Sequence, residues 1–160
     1  MRAMIFRLGA LAAFLGVCLG GTHASTTQRA AAEHISEITL VRDGDAGSPA
    51  DVLTFHSDGS VFYEGKHDTT RVGVFTGKLR KNFSGEVFPQ LAARFVELIS
   101  EGSFSTGKPS NLTPVVVQVT QDGKVKEFTD WCPGLDERIW AFEMTARGLM
   151  EETVLIKARP

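Results

Sequence analysis

The chain predicts an α+β fold in two layers, with an antiparallel sheet built from hairpins and two helices on one face. Asp-Gly turn signals stand between apolar alternations twice, at positions 58–59 and 122–123. Such dipeptides are the strongest short-range hairpin signal. Two later segments repeat apolar residues every three to four positions, as amphipathic helices do. Since each helix must bury its stripe on the sheet, we expect the order ββββ-α-ββ-α.

Residues 51–66 predict the first hairpin and its register. A two-residue turn would oppose Leu53 to Glu64, whereas a three-residue loop with left-handed Gly59 opposes Leu53 to Tyr63. Register follows the buried face, so the three-residue loop is favoured. This loop separates two faces, an apolar one with Leu53, Phe55, Val61 and Tyr63 and an outer one with Thr54, His56, Phe62 and Glu64.

The other elements follow from the same two periodicities. In chain order they are strands at 35–42, 52–56, 60–66 and 71–79, a helix at 86–100, strands at 115–120 and 124–130, and a helix at 135–150. Residues 153–157 suit either a last strand or the tail of the second helix. In the second hairpin both registers place a charge opposite a valine, Glu127 opposite Val117 or Lys126 opposite Val119. The sequence leaves that choice open.

The first 24 residues predict a secretory signal peptide. Arg2 and Arg7 precede an uncharged run of 14 residues, and Ala24 ends a small-residue cleavage site. The run is shorter than the roughly 20 residues of a membrane span. Lipidation of Cys18 is disfavoured because Val17 stands where a small residue is needed. We therefore expect a periplasmic or secreted protein, with residues 1–24 as signal peptide, 25–34 as flexible leader and 35–160 as a single α+β domain.

The charge balance excludes a nucleic-acid partner. Without Arg2 and Arg7 the 17 basic residues become 15 against 19 acidic ones, a formal charge of −4. The chain has no basic stripe, which is the electrostatic footprint of nucleic-acid binding. Nor does the chain after the signal peptide contain an apolar run long enough for a transmembrane span.

Residues 58–65, with the sequence DGSVFYEG, resemble a D-G-x-V-x-Y-E-G signature. We associate this signature with a family of bacterial exported proteins and lipoproteins that is classed only as a domain of unknown function. The resemblance covers about residues 38–150, and it implies an exported α+β domain without an assigned activity. In that family the loop before the first hairpin often carries a cysteine pair followed by proline. Here residues 45–49 contain the proline and no cysteine, so no redox or metal role is implied for this loop.

Few residues suggest catalysis or a cofactor. His56, Glu64 and His67 are the candidate metal ligands, since imidazole and carboxylate groups bind zinc. Their spacing, however, matches no metal-ligand pattern, and no G-x-S-x-G elbow or glycine-rich phosphate loop is present. We therefore predict no cofactor. A metal-dependent or hydrolytic enzyme that uses His56, His67 and nearby carboxylates is the alternative hypothesis.

Cys132 is a candidate free thiol. Once Cys18 is removed with the signal peptide, Cys132 is the only cysteine, so an internal disulfide is impossible. The segment 131–133 superficially resembles a thioredoxin-type site, but Leu135 occupies the position of the second cysteine. Packing of Trp131 at a strand-to-helix junction explains the segment more simply. A position near a helix N-terminus could still lower the pKa of the Cys132 thiol and make it reactive.

The outer face of the sheet is the candidate binding surface. An antiparallel sheet can expose one face to water, and Thr54, His56, Phe62 and Glu64 are predicted on that face. Phe62 is an aromatic residue on the solvated side. The leading hypothesis is therefore a non-catalytic binding or interaction module of the bacterial envelope. Its partner would be an envelope protein or a small ligand.

Overall fold

A computed structural model describes residues 26–44, 47–79, 87–100, 113–131 and 136–158. Within these ranges the chain is a mixed α+β fold dominated by a seven-stranded antiparallel sheet. The helices are α1 (Thr26–Glu33), α2 (Val87–Ser100) and α3 (Glu137–Glu152), and the strands are β1 (Ile35–Asp43), β2 (Ala50–His56), β3 (Ser60–His67), β4 (Gly73–Lys78), β5 (Val115–Gln121), β6 (Lys124–Asp130) and β7 (Val154–Lys157). The predicted signal peptide, Cys18 and Cys132 lie outside the described residues.

The strands are arranged in the order β6-β5-β1-β2-β3-β4-β7. All neighbouring strands are antiparallel. Strand β1 lies in the interior of the sheet, where it pairs with β2 on one side and with β5 on the other. Ile38 and Leu40 of β1 are fully buried. This burial fits an interior strand, which has neighbouring strands along both edges.

The predicted register of the first hairpin is confirmed. Leu53 lies opposite Tyr63, as the three-residue loop requires. Gly59 has a φ of 80°, and its amide donates to the carbonyl of His56 at 2.9 Å. Only glycine adopts this left-handed conformation without a steric cost. The burial of Leu53 and Tyr63, at 0% and 1% exposure, selects the loop over the tighter turn.

The second hairpin has the two-residue turn. Val117 lies opposite Phe128 and Val119 lies opposite Lys126. The turn residues Asp122 and Gly123 have φ values of 51° and 71°, which are those of a type I′ turn. This register keeps Phe128 against the core, where its ring lies 5.7 Å from that of Phe95. Lys126 is tolerated opposite Val119 because it is exposed on the edge strand β6.

Two terminal elements extend the predicted order ββββ-α-ββ-α. The flexible leader expected at residues 25–34 is instead largely helix α1, because its alanines favour a helix and Ala32 is buried at 5% exposure. At the other end, residues 154–157 form strand β7, paired with β4, and not a helix tail. Helix α3 ends just before Thr153 and β7 begins just after it, and the backbone is extended at Thr153. The Thr153 hydroxyl donates to the carbonyl of Leu149 at 2.7 Å.

Side chains from the strands and from all three helices form a single core cluster. The apolar positions predicted for the two long helices are part of it, among them Phe88, Leu91, Phe95, Ile139, Phe142 and Ala146. Strand residues that alternate with the core positions, such as Val52 and Phe62, remain partly accessible. No described helix is long and apolar enough to cross a membrane.

Candidate functional site

The strand positions that alternate with the core positions form a surface that we call the outer face. The register places residues from six adjacent strands side by side in each of two rows across this face. One row consists of Glu127, Gln118, Thr39, Thr54, Phe62 and Thr76, and the next consists of Thr129, Val116, Val41, Val52, Glu64 and Val74. Since short β-branched side chains predominate, the centre of the outer face has little relief and is flat.

Two threonines occupy the middle of the outer face. Thr39 and Thr54 are opposite each other, and their hydroxyl oxygens are 2.9 Å apart in a hydrogen bond in which either hydroxyl can be the donor. Each is only 8% exposed, because neighbouring strands crowd a short side chain from both sides. The hydrogen bond pairs the two hydroxyl groups with each other. The centre of the outer face is therefore more apolar than its threonine content suggests.

The predicted binding residues share the outer face but occupy different parts of it. Phe62 lies directly opposite Thr54. Glu64 lies two positions along β3, between Val52 and Val74. His56 lies at the end of β2, and its Nδ1 atom is 3.3 Å from Glu37 Oε2. Phe62 and Thr54 thus form the centre of the predicted surface, while His56 and Glu64 lie toward opposite ends.

The candidate metal ligands are not brought together. His56 and Glu64 lie on either side of the Thr54–Phe62 pair, roughly 13 Å apart at the usual rise of a strand. His67, at the end of β3, has its Nδ1 atom 3.2 Å from Asp68 Oδ2. Among the described residues, no three His, Cys, Asp or Glu side chains are arranged to hold a metal ion.

The outer face continues into an apolar edge at β4 and β7. Val74, Val154 and Ile156 lie on these two strands, and Val72 immediately precedes β4. Their exposed fractions run from 37% for Val74 to 69% for Ile156. The opposite edge strand, β6, also exposes an apolar residue, Val125 at 65%, beside Lys124, Lys126 and Glu127.

The inner side of the sheet contains a buried charged group that belongs to none of the predicted sites. Asp51 lies beside Arg42 in the β1–β2 ladder and is only 1% exposed. Arg42 Nε donates to Asp51 Oδ1 at 3.0 Å, and the Arg42 Nη2 atom contacts Oδ2. Arg147 of α3 donates from Nη1 to the same two oxygens at 3.3 and 3.2 Å. One buried carboxylate therefore binds two guanidinium groups, one from the sheet and one from α3.

Two further carboxyl groups complete what we call the ionic layer, which comprises Arg42, Asp51, Asp130, Glu143 and Arg147. Asp130 and Glu143 are 3% and 6% exposed. Burial raises the pKa of Glu143 to about 7, and the nearby Asp130 carboxylate adds to this effect. Arg147 and Arg42 act in the opposite direction on this pKa. With all groups ionised, the layer would contain three negative and two positive charges.

One part of the ionic layer left a signal in the sequence. Strand alternation extended by two residues from Leu53 puts Asp51 on the same side as Leu53 and Phe55, where an unpaired carboxylate is costly. Such a position calls for a cationic partner. Arg147 and Glu143 stand four residues apart, which puts them on one side of a helix. Their contact with β2 depends on how α3 packs, and the sequence contains no direct signal for that.

A groove of about 300 Å³ separates α2 from α3. Its charged lining residues are Arg94 and Glu97 on α2 and Glu137 and Arg138 on α3. Arg138 is also bound to Asp136, with Nη2 2.9 Å from Oδ2. Charges of both signs line the groove, so they select no particular class of ligand.

In comparisons with known proteins, no family model, no curated protein and no solved structure matches the chain. The resemblance carried by residues 58–65 therefore stays a prediction. Any function must be argued from the outer face and the ionic layer themselves.

Proposed function

We propose that this chain is a non-catalytic binding module of the bacterial envelope, and that its outer face docks a partner protein. The observation that carries this proposal is the flat, β-branched centre around Thr39, Val41, Val52 and Thr54. The side chains of α2 and α3 join the core positions of the strands, so we infer that both helices lie on the inner side. This arrangement leaves the outer face available for a partner.

The shape of the outer face favours a protein surface over a small ligand. A small ligand is usually bound in a concave site that encloses most of its surface. The centre of the outer face is instead made of short side chains, and only Phe62 adds a larger group. A flat sheet of this type packs well against another flat apolar surface, as facing sheets do at a separation of roughly 10 Å. Phe62 supplies the aromatic anchor that such interfaces often contain.

The charges around the outer face define the partner further. In the described strands, four acidic residues stand at outer-face positions, while the lysines there are Lys66 and Lys78. The acidic residues are Glu37, Asp43, Glu64 and Glu127. This excess of negative charge complements a basic rim on the partner, and complementary rims chiefly accelerate association and improve specificity. We therefore propose a partner with a flat apolar centre and surrounding lysine or arginine residues.

The envelope location rests on the signal-peptide pattern of residues 1–24. If the protein is exported, the mature chain begins at Ser25. Fractionation of cells that produce the full chain, followed by N-terminal sequencing, tests this point. A cytoplasmic protein that retains Met1 would contradict the proposed location while leaving the docking surface open to separate testing.

Site-specific photocrosslinking tests the docking surface. A photoreactive phenylalanine analogue replaces Phe62 in one variant and Met144, which is 49% exposed on α3, in the control. We expect a defined adduct with a protein that has a basic surface from position 62 and none from position 144. Val52→Lys should abolish the adduct, and added salt should weaken it.

Three outcomes would overturn the proposal. Equal adduct yields from the two positions would indicate nonspecific contact. Lack of an adduct at position 62 would remove the outer face as a protein-docking surface. An adduct between two copies of the chain would replace the proposed partner with self-association.

A further inference from the structure

We infer that the ionic layer is a proton-dependent clamp that holds α3 on the sheet when Glu143 carries a proton and releases the middle of the helix when Glu143 is ionised. This inference concerns the inner side of the sheet and does not depend on the proposed docking surface. It rests on how the buried charges are distributed between α3 and three strands.

The two arginines of the ionic layer bind the same carboxylate. Both Arg42 and Arg147 donate to Asp51, and together they contact both of its carboxylate oxygens. Glu143 stands one helical turn before Arg147 on α3. Its Oε1 atom is buried and has no hydrogen-bond partner among the described residues. Among the described residues, no cation donates directly to this buried oxygen of Glu143.

Ionisation of Glu143 would add a negative charge beside the Asp130 carboxylate, whereas protonated Glu143 adds none. Burial makes this added charge costly, because a charge in a region of low dielectric constant loses its hydration. A buried carboxyl group in this situation keeps its proton well above its ordinary range.

Charged groups lie near Glu143 on several of the described strands and helices. Strand β1 contributes Arg42, β2 contributes Asp51, β6 contributes Asp130 and α3 itself contributes Arg147. On α2, Arg94 and Glu97 line the groove nearer the start of α3. Burial opposes the ionisation of Glu143 most strongly, the Asp130 carboxylate adds to this effect, and the two arginines favour ionisation. Ionisation therefore places like charges on β6 and α3.

The consequence is mechanical. A charge that appears on Glu143 gains hydration only if the middle of α3 moves away from the sheet or water enters beneath it. Ile139, Phe142 and Ala146 pack around the same stretch of helix. Their burial favours a short opening over the loss of the whole helix. The clamp is thus closed in mildly acidic solution and loosened in mildly alkaline solution.

Hydrogen exchange of the intact protein between pH 5.5 and 8.5 tests the clamp. After correction for intrinsic exchange rates, we expect amides at 139–147 to lose at least tenfold in protection as the pH rises. At pH 8.5 they should exchange faster than the amides of β1. Glu143→Gln should abolish the pH dependence, since its amide does not ionise. Glu137→Gln, which removes an exposed carboxylate of the same helix, should retain it.

A carbon NMR titration of the Glu143 carboxyl group provides a second test that requires no Glu143 variant. We expect a midpoint near neutrality in the native protein and a lower midpoint in Asp130→Asn. The inference is overturned if Glu143 titrates below pH 5. It is also overturned if α3 and β1 exchange together at pH 8.5, or if Glu143→Gln keeps the pH dependence.

Discussion

The two ends of strand β2 face the same side of the sheet but are stabilised in different ways. At one end, Leu53 and Phe55 are fully buried among apolar side chains. At the other end, Asp51 is equally buried and is bound by Arg42 and Arg147. The apolar end depends on close packing, which is insensitive to pH. The ionic end depends on the charges of its groups, so a change in protonation can act there.

The largest effect is expected when the ionic end loses its central carboxylate. Asp51→Ala leaves two partly buried guanidinium groups without their acceptor, so we expect the free energy of unfolding to fall by about 3–5 kcal/mol. Urea titration followed by circular dichroism measures the change. The matched control is Asp43→Ala, because Asp43 is exposed in the neighbouring strand and its change should be under about 1 kcal/mol. Equal effects at the two positions would contradict the importance of burial.

A slightly smaller effect is expected at the apolar end of the strand. Leu53→Ala removes a fully buried side chain, and we expect a loss of about 3 kcal/mol from lost packing and a residual cavity. This loss should be the same at pH 5.5 and pH 8.5. The same urea titration at both pH values checks it. A loss that changes by more than about 1 kcal/mol between them would show that the two ends are energetically coupled.

The ionic end should also make stability depend on pH. The pKa of Glu143 rises from its ordinary value of 4.5 to about 7 in the folded chain, so the folded state holds the extra proton between these values. The free energy of unfolding should therefore decrease as the pH rises through this window, by about 2–3 kcal/mol. Thermal unfolding from pH 4.5 to 8 measures this. Glu143→Gln should flatten the profile, and an unchanged slope would contradict the assignment.

The smallest effect is expected for a polar pair on the outer side of the same strand. Thr54→Val alone leaves the Thr39 hydroxyl without its partner, and we expect a cost of about 1 kcal/mol. Replacing both threonines with valine removes the unmet hydrogen bond and should restore stability nearly to the native value. A double-mutant cycle with urea unfolding measures this coupling. Purely additive losses would indicate that each hydroxyl is independently hydrated.

The two hairpins illustrate how far register can be predicted from sequence. In the first hairpin, one register buries Leu53 against Tyr63 and the other buries it against Glu64, so the apolar face decides. In the second, each register sets one charge opposite a valine, and local pairing does not distinguish them. Phe95 of α2 favours the observed register, because its ring contacts the ring of Phe128. A contact from a distant helix therefore determines the second register.

The ionic layer marks the second limit of prediction from sequence. Asp51 could be assigned to the buried face from its position in the first hairpin, and that position implies a cation. Arg42 is its ladder neighbour, but Arg147 comes from a helix 96 positions away. The positions of Thr54 and Phe62 on the outer face are easier to predict, because strand alternation alone assigns each residue to one side of the sheet. Local periodicity thus predicts faces, whereas the partners of buried charges depend on tertiary packing.

The interior position of β1 has a consequence for the order in which the sheet assembles. Its pairing with β2 joins near neighbours in the chain, so strands β1 to β4 can pair through short connections. Its other edge waits for β5, whose partner residues lie roughly 80 positions further along, and such distant contacts form slowly. Until β5 arrives, this edge of β1 is open to any extended chain. A second copy could supply its own β5–β6 hairpin there, so exchange of that hairpin between two chains is the misassembly this topology favours.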